Sequence, residues 1–114
     1  VVRYLCAEGA DAEKAFRDGS TALMMAATTG QLEVLEYLCH AGANKDAQRW
    51  DGATSLHMAA KLGNPDVIRC LCEANADMER MLPNGMTPIF LASANGHLEA
   101  ARQLLAARAA AAGR

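Results

Sequence analysis

The chain has 114 residues, of which 52% are hydrophobic but only 4% aromatic, and its formal net charge of −2 comes from 11 basic and 13 acidic residues. Because Lys and Arg are scattered and form no stripe that could neutralise a row of phosphates, we expect no nucleic-acid partner. No apolar run approaches the roughly 18 to 20 residues of a membrane-spanning helix, so no membrane span is expected. The abundance of Ala and Leu favours an all-α fold with closely packed helices.

One motif recurs through the chain at a fixed interval of 33 residues, at positions 18–30, 51–63 and 84–96. A repeat without insertions predicts a stack of equivalent units, each of which packs only against its neighbours. We therefore predict a single array over residues 1–114. Its units are a partial repeat, two complete repeats and a terminal repeat, at 1–15, 16–48, 49–81 and 82–114.

The first helix of each unit is predicted to begin after a threonine. A Thr hydroxyl can accept hydrogen bonds from the free N–H groups of the first helical turn, and Thr21, Thr54 and Thr87 stand just before an apolar stretch. Apolar residues at i, i+3 and i+4 then form one buried helix face. Each first helix is expected to end at a glycine that takes the left-handed conformation, namely Gly30, Gly63 or Gly96.

The second helix of each unit follows at once, and we predict it over residues 32–40, 65–73 and 98 to about 107. Asn64 and Pro65 form a strong start signal, with an Asn cap and a Pro at the first helical position. The stop signals are residues that tolerate the left-handed conformation, at Gly9, Gly42 and Asn75. Arg108 occupies that position in the last unit, so we expect the final helix to fray or run on.

A polar segment precedes each first helix and contains a turn dipeptide. The pairs Asp18-Gly19, Asp51-Gly52 and Asn84-Gly85 are of the kind that supplies positive φ at a tight hairpin tip. Each unit is therefore predicted to be a helix, a turn, a second helix and a projecting hairpin.

Four cysteines, Cys6, Cys39, Cys70 and Cys72, raise the question of disulfides or metal. Three of them share one position in the repeat, and equivalent helices lie about 8–10 Å apart, beyond the usual disulfide Cα separation of about 4.4–6.8 Å. Cys70 and Cys72 point about 200° apart on a helix and cannot chelate one ion. We predict a ladder of buried free thiols, no metal and an intracellular, cytoplasmic setting. The alternative is that the ladder is redox-active.

These residues resemble the ankyrin repeat, a 33-residue unit that opens Gly-x-Thr-Pro-Leu-His-x-Ala-Ala and closes Gly-Ala-Asp. Residues 52–60 match the opening with Ser in place of Pro, residues 96–99 match the start of the second helix, and residues 9–11 match the close. The resemblance implies an all-α ankyrin-repeat solenoid, in which stacked helix-turn-helix units are joined by hairpin loops.

The resemblance also implies that His57 caps its own helix together with Thr54, rather than serving catalysis or metal binding. Met24 and Phe90 stand in the place of His57 in the neighbouring units. In those units we expect the side-chain half of the cap to be lost.

The sequence contains no set of residues with the types and spacing of a catalytic, phosphate-binding or metal-binding site. We find no Ser-His-Asp set, no phosphate-cradling glycine loop and no metal-ligand spacing, so we expect no enzyme activity and no cofactor. The helical methionines, Met24, Met25 and Met58, are expected to fill gaps in the core rather than to bind a soft metal.

In ankyrin proteins the hairpin tips and the exposed ends of the first helices form a concave face that binds other proteins. Large apolar residues stand where the fold would accept polar ones, at Phe16, Trp50, Met81, Leu82 and Met86, and exposed apolar surface usually marks a binding site. Phe16, Arg49 and Leu82 share a position at which they could instead pack hairpin against hairpin. Carried over position by position, the resemblance assigns the following partner-binding residues: Arg17, Ser20, Thr28, Thr29, Arg49, Trp50, Ala53, Lys61, Leu62, Met81, Met86, Ala94 and Asn95.

We therefore predict a module that binds a protein or peptide partner through this face. The chain opens in the middle of a unit, without an initiator Met or a signal-peptide pattern, so we expect it to be a piece of a longer protein. The alternative function is that of a regulatory or targeting segment in a larger enzyme or signalling protein whose active site lies elsewhere. Because neither end carries a recognisable polar capping repeat, weak self-association through the ends is also predicted.

Overall fold

A computed structural model describes residues 21–112, and every regular element in that range is an α-helix. The predicted partial unit at residues 1–15 lies outside this range, as do Cys6, Phe16, Arg17 and Ser20. The helices are α1 (Ala22–Thr29), α2 (Leu32–His40), α3 (Ser55–Leu62), α4 (Pro65–Glu73), α5 (Pro88–Ala94) and α6 (Leu98–Ala112).

The helices form three pairs stacked into two layers. Within each pair, α1 packs on α2, α3 on α4 and α5 on α6, while between pairs the first helices pack on one another and so do the second helices. This arrangement confirms the predicted all-α stack of helix-turn-helix units over the described residues.

The first helices begin at the threonines that the sequence predicts. The hydroxyls of Thr21, Thr54 and Thr87 each accept a hydrogen bond of 3.4 Å from the backbone N–H three residues later. Gly30 and Gly63 then adopt left-handed φ values of 73° and 78° directly after α1 and α3. The third of these helices, α5, ends one residue earlier than expected, because Asn95 caps it before the left-handed glycine is reached.

The second helices α2 and α4 have the predicted bounds. Asn64 caps α4 by accepting from the N–H of Val67 at 3.2 Å, and Asn75 takes a φ of 68° just beyond the end of that helix. In contrast, α6 continues through Arg108 to Ala112. The missing stop signal therefore has the predicted effect, since the last helix runs on.

The core lies between the two helix layers, where leucine and isoleucine side chains of α1 to α4 are fully buried. Small residues such as Ala27, Ala59 and Ala60 stand at the buried positions of the first helices. A side chain that ends at Cβ lets neighbouring helix backbones approach closely, which accounts for the Ala-rich composition.

A second, smaller apolar cluster lies under the hairpins. It is formed by Met24, Ala53 and Met58, with Leu82 packed against it. The prediction that helical methionines fill core gaps is confirmed for Met24 and Met58 but is wrong for Met25, which is exposed. Met58 meets Thr28 of the preceding unit, and the part of the chain described here offers Met25 no such neighbour.

Each described hairpin is closed by paired backbone hydrogen bonds. In the first, the N–H of Arg49 donates to the carbonyl of Ala53 and the N–H of Gly52 donates to the carbonyl of Arg49, both at 2.8 Å. The second repeats this pattern with Leu82, Met86 and Gly85. Gly52 and Gly85 have φ values of 89° and 86°, which confirms the turn dipeptides Asp51-Gly52 and Asn84-Gly85. The dipeptide Asp18-Gly19 and the stop signal at Gly9 lie outside the described residues.

Between residues 21 and 112, no helix has both the length and the apolar character needed to cross a bilayer.

Candidate partner-binding surface

The hairpins and the ends of the first helices border the same side of the stack. Met24 and Met58 point towards the hairpins, where they pack with Ala53. Residues four positions later on a helix lie on the same face one turn further on, which places Thr28 and Leu62 beside them. We call this side the hairpin-side surface. The predicted partner-binding residues within the described range, which remain a prediction for this surface, are Thr28, Thr29, Arg49, Trp50, Lys61, Leu62, Met81, Met86, Ala94 and Asn95.

Trp50 stands at the tip of the first described hairpin, with 81% of its surface exposed. Met81 is also largely exposed, whereas Met86 is half-buried at the base of the next hairpin. Burying large apolar side chains from water is the main favourable term in protein association, and Trp is prominent among residues that dominate it. Of the apolar residues predicted for a binding surface, Trp50 and Met81 are therefore the two that the described hairpins expose.

Arg49 and Asp51 flank Trp50 and bind each other, with 2.6 Å between the guanidinium Nη2 and the carboxylate Oδ2. The hydrogen bond from Arg49, supported by one from the N–H of Ala53, lowers the pKa of Asp51 to about 2. Asp51 is consequently ionised at neutral pH and offsets the charge of Arg49. The indole is thus bordered by a closed ion pair rather than by a free cation.

Ala53 is only 6% exposed, so the expectation that it lies at an open tip is wrong. Its backbone closes the hairpin by bonding to Arg49 and Asp51, and its methyl group packs against Met24 and Met58. The hairpin folds back over the first helices, and its last residue therefore faces inward. Leu82 is half-buried against the same cluster, which favours the packing interpretation of that position.

The polar side chains at the first-helix ends bond mainly to their own helices. Thr28 and Thr29 donate to the carbonyls of Met24 and Met25 at 2.8 Å, and the Asn95 amide donates to the carbonyl of Leu91 at 2.7 Å. These three residues are exposed, yet their hydroxyl or amide groups already have partners. Lys61 and Leu62, at the end of α3, are exposed too, and Lys61 has no ion pair with a described residue.

His57 is buried and works as a cap. Its Nδ1 accepts from the backbone N–H of Thr54 at 3.2 Å, and the N–H of His57 donates in return to the Thr54 hydroxyl. Its Nε2 donates to the carbonyl of Arg80, in the next hairpin, at 2.8 Å. Burial lowers the pKa of His57, so the ring is neutral, as these bonds require. The predicted structural role is confirmed.

A family model for ankyrin repeats, with 3 copies, matches residues 1–49 and 42–112. The chain belongs to the ankyrin-repeat family. Ankyrin repeats are generally non-catalytic modules that bind other proteins. No curated protein matches the chain.

Only α3 among the described helices of this ankyrin array carries the reciprocal cap. Met24 and Phe90 keep the backbone half of the interaction, because their N–H groups still donate to Thr21 and Thr87. Their side chains have no nitrogen or oxygen with which to return the bond. The predicted loss of the side-chain half is confirmed.

The cysteines Cys39, Cys70 and Cys72 are free and half-buried, less enclosed than the predicted buried ladder. Cys39 and Cys70 line one depression, where α2 packs on α4. Burial raises the pKa of Cys39, and it raises those of Cys70 to about 12 and Cys72 to about 11. Few thiolates exist at neutral pH under these conditions, which counts against a redox-active ladder. Over residues 21–112, no three His, Cys, Asp or Glu side chains are placed to hold a metal ion.

Three exposed apolar residues in the last unit lie outside the predicted binding set, namely Phe90, Leu98 and Leu105. The Leu104-Leu105 pair is expected on the buried side of its helix, which is correct for Leu104 but wrong for Leu105.

Proposed function

We propose that this ankyrin array binds a protein or peptide partner across the hairpin-side surface. The observation that carries the proposal is the exposure of Trp50 at a hairpin tip, where the described fold gives the indole no packing role. An exposed Trp next to an ordered Arg has the composition of an interface hot spot.

The arrangement around Trp50 favours a partner with an apolar anchor. The ion pair with Asp51 already orders the Arg49 side chain. Arg49 therefore loses little conformational freedom when it stacks on a partner or donates a hydrogen bond to it. Met81 and Leu62 extend the apolar area along the next hairpin and the end of α3. Lys61, beside Leu62, offers a cation for a carboxylate of the partner. The edge of the proposed binding surface is formed by Thr28, Thr29, Ala94 and Asn95.

The test is affinity capture with this chain, followed by measurement of the one-to-one affinity for the captured partner. We expect Trp50→Ala to weaken binding by more than about 1 kcal/mol, or about fivefold, because the anchor area is lost. Leu105→Ala removes an exposed apolar side chain from α6, on another part of the molecule, and should leave the affinity unchanged. Equal affinities for wild type and Trp50→Ala, with circular dichroism showing an intact fold, would count against the proposal.

The alternative hypothesis is that the array regulates or targets a catalytic domain outside this chain. In that case the partner is a domain of the same protein, and the sequence beyond residues 1–114 would reveal it. We also propose a reducing, cytoplasmic compartment, which the three free thiols of the described residues support. Disulfide formation in the protein isolated under non-reducing conditions would argue against that compartment.

A further inference from the structure

The three described units carry different side chains at one exposed place, the end of the first helix. Because the repeat interval is 33 residues, the pairs that stand there are equivalent: Thr28-Thr29 after α1, Lys61-Leu62 in α3 and Ala94-Asn95 after α5. Only the middle unit has a charged residue and a large apolar residue at this place. Both are open to solvent, with Leu62 52% exposed.

Lys61 and Leu62 belong to the unit in the middle of the described stack. The helix α3 packs on α1 on one side and on α5 on the other. Both neighbouring units are therefore in place, and they leave these two side chains uncovered.

The charge of Lys61 stands alone. With His57 neutral, Lys61 is the one charged residue in the described first helices α1, α3 and α5. Lys61 forms no ion pair with a described residue, whereas every arginine between residues 21 and 112 does, namely Arg49, Arg69, Arg80, Arg102 and Arg108. The first-helix layer therefore offers a single uncompensated cation.

The fold does not require a cation at this position. A lysine in the last turn of a helix interacts favourably with the helix dipole. However, α1 and α5 have no basic residue in their last turn, and α1 ends at a left-handed glycine just as α3 does. The charge of Lys61 is therefore available to a partner.

The neighbours of Lys61 determine which kind of anion fits. The hydroxyl of Thr28 lies 3.3 Å from the sulfur of Met58, one turn before Lys61. This hydroxyl and that of Thr29 donate to carbonyls of their own helix at 2.8 Å, and the Asn95 amide does the same at 2.7 Å. A phosphate dianion has three acceptor oxygens and binds best to several donors or to arginine, while one ammonium balances one carboxylate. The site therefore favours a carboxylate.

Leu62 adds an apolar contact beside that carboxylate. One turn earlier on α3, Met58 is only 8% exposed and packs with Met24 and Ala53 under the hairpin. Leu62 is thus the exposed continuation of a buried apolar row. A partner side chain that covers Leu62 also removes water from around Lys61, which strengthens the attraction between ammonium and carboxylate.

We propose that the partner is a peptide segment with one acidic residue among apolar residues, an inference that rests on the proposed function of the hairpin-side surface. Its Asp or Glu carboxylate binds Lys61, and an adjacent aliphatic or aromatic side chain packs on Leu62. Trp50 and Met81, at the hairpin tips, contact apolar residues further along the same segment. The single charge pair fixes the register of the segment, because the first-helix layer offers it one cation.

The test is selection of binders from a phage-displayed library of random peptides on the immobilised full chain. We expect the selected peptides to carry Asp or Glu next to an apolar residue. In a synthetic copy, replacing that acid by Asn or Gln should weaken binding at least about tenfold. Lys61→Met keeps an unbranched stem but removes the charge, so it should weaken binding similarly and reduce its dependence on salt concentration.

Charge reversal separates a direct contact from a general effect of charge. Lys61→Glu should abolish binding of the acidic peptide, and the same peptide with Lys in place of its acid should restore it. Lys45→Glu is the matched control, because Lys45 is the other lysine of the described range and also forms no ion pair with a described residue. Lys45 lies between α2 and the hairpin, outside the predicted binding set, and its replacement should leave the affinity unchanged.

Selected peptides that lack an acid, or equal affinities of wild type and Lys61→Glu for the acidic peptide, would overturn this inference. A phosphoserine version that binds the wild type more than about tenfold more tightly would also overturn it, in favour of a phosphate site. If Trp50→Ala still abolishes binding in these cases, the proposed function stands without the inference. Binding that depends on Lys61 but not on Trp50 would keep the inference and count against the role of Trp50. A library that yields no binder contradicts both.

Discussion

At the scale of single residues, the imidazole of His57 joins two units of the array. Its Nδ1 completes the cap of α3 with Thr54, and its Nε2 binds the carbonyl of Arg80 in the following hairpin. Both ring nitrogens are therefore engaged, which leaves neither free to abstract a proton or to bind a metal. His57, which the sequence alone could suggest as a catalytic residue, therefore links helix α3 to the following hairpin.

We expect His57→Ala to lower the free energy of unfolding by about 1–3 kcal/mol, because the buried N–H of Thr54 and the carbonyl of Arg80 lose their partner. Urea denaturation monitored by circular dichroism measures this change. His40→Ala is the control, since the exposed ring of His40 bonds only to the carbonyl of Glu36, four residues earlier on its own helix. A similar loss in both variants would contradict the connecting role.

The same residue predicts a pH dependence. Burial lowers the pKa of His57 from about 6.5, so the unfolded chain takes up this proton at a higher pH than the folded chain does. The contribution of His57 to the free energy of unfolding is therefore fully present above about pH 6.5 and falls as the pH drops through and below that value. Urea midpoints between pH 7.5 and 5 should show this slope in the wild type and a shallower slope in His57→Ala. Asp51, whose pKa is about 2, does not titrate in that window.

At the scale of elements, the turn between the two helices of a unit also holds the next unit in place. Gly63 adopts a left-handed conformation after α3, and the imidazole of His97 from the following unit lies directly against its Cα hydrogens. His97 also bonds to the carbonyl of Lys61 in the last turn of α3. A single glycine therefore serves helix termination and the contact between units.

Gly63→Ala and Gly96→Ala separate these two roles. Both substitutions place an alanine at similar positive φ, which costs about 1 kcal/mol, but only the Cβ at position 63 collides with His97. We expect Gly63→Ala to lose about 1 kcal/mol or more beyond Gly96→Ala in chemical denaturation, because the ring must move and its bond to Lys61 is strained. Equal losses would show that the contact between units contributes little.

At the scale of the whole molecule, each helix pair packs only on its neighbours, so stability is shared along the array. The middle pair, α3 and α4, has neighbours on both sides and contains Leu56 in its core. Within residues 21–112, the last pair contacts a neighbouring pair on one side and contains Leu104. This difference predicts that the last described pair opens more readily than the middle pair.

Leu56→Ala should lower the free energy of unfolding by about 2–5 kcal/mol, because it leaves a cavity in the core. Since that cavity lies in the middle pair, which contacts both other pairs, amide hydrogen-exchange protection should fall in all six described helices. Leu104→Ala should reduce protection mainly in α5 and α6. Exchange measured by nuclear magnetic resonance distinguishes the two patterns. Uniform loss of protection in Leu104→Ala would mean that the array unfolds as one unit.

Features encoded within a few residues could be predicted from the sequence. The bounds of α2 and α4, the caps at Thr21, Thr54 and Thr87 and the positive φ of Asn75 depend on local hydrogen bonds and backbone sterics, which the residue types determine by themselves. The 33-residue interval then determines how these pieces recur, and with it the stacked all-α fold.

Features that depend on a neighbouring unit were decided only by the tertiary structure. Ala53 faces inward because its hairpin folds over the first helices, and Cys39 and Cys70 line one depression because α2 packs on α4. Phe90 is exposed although Met24 and His57, at the same position of the repeat, are buried. The sequence assigns Met24, His57 and Phe90 the same position in the repeat. Burial, however, depends on which residues pack against that position, and those residues differ at the last unit of the described stack.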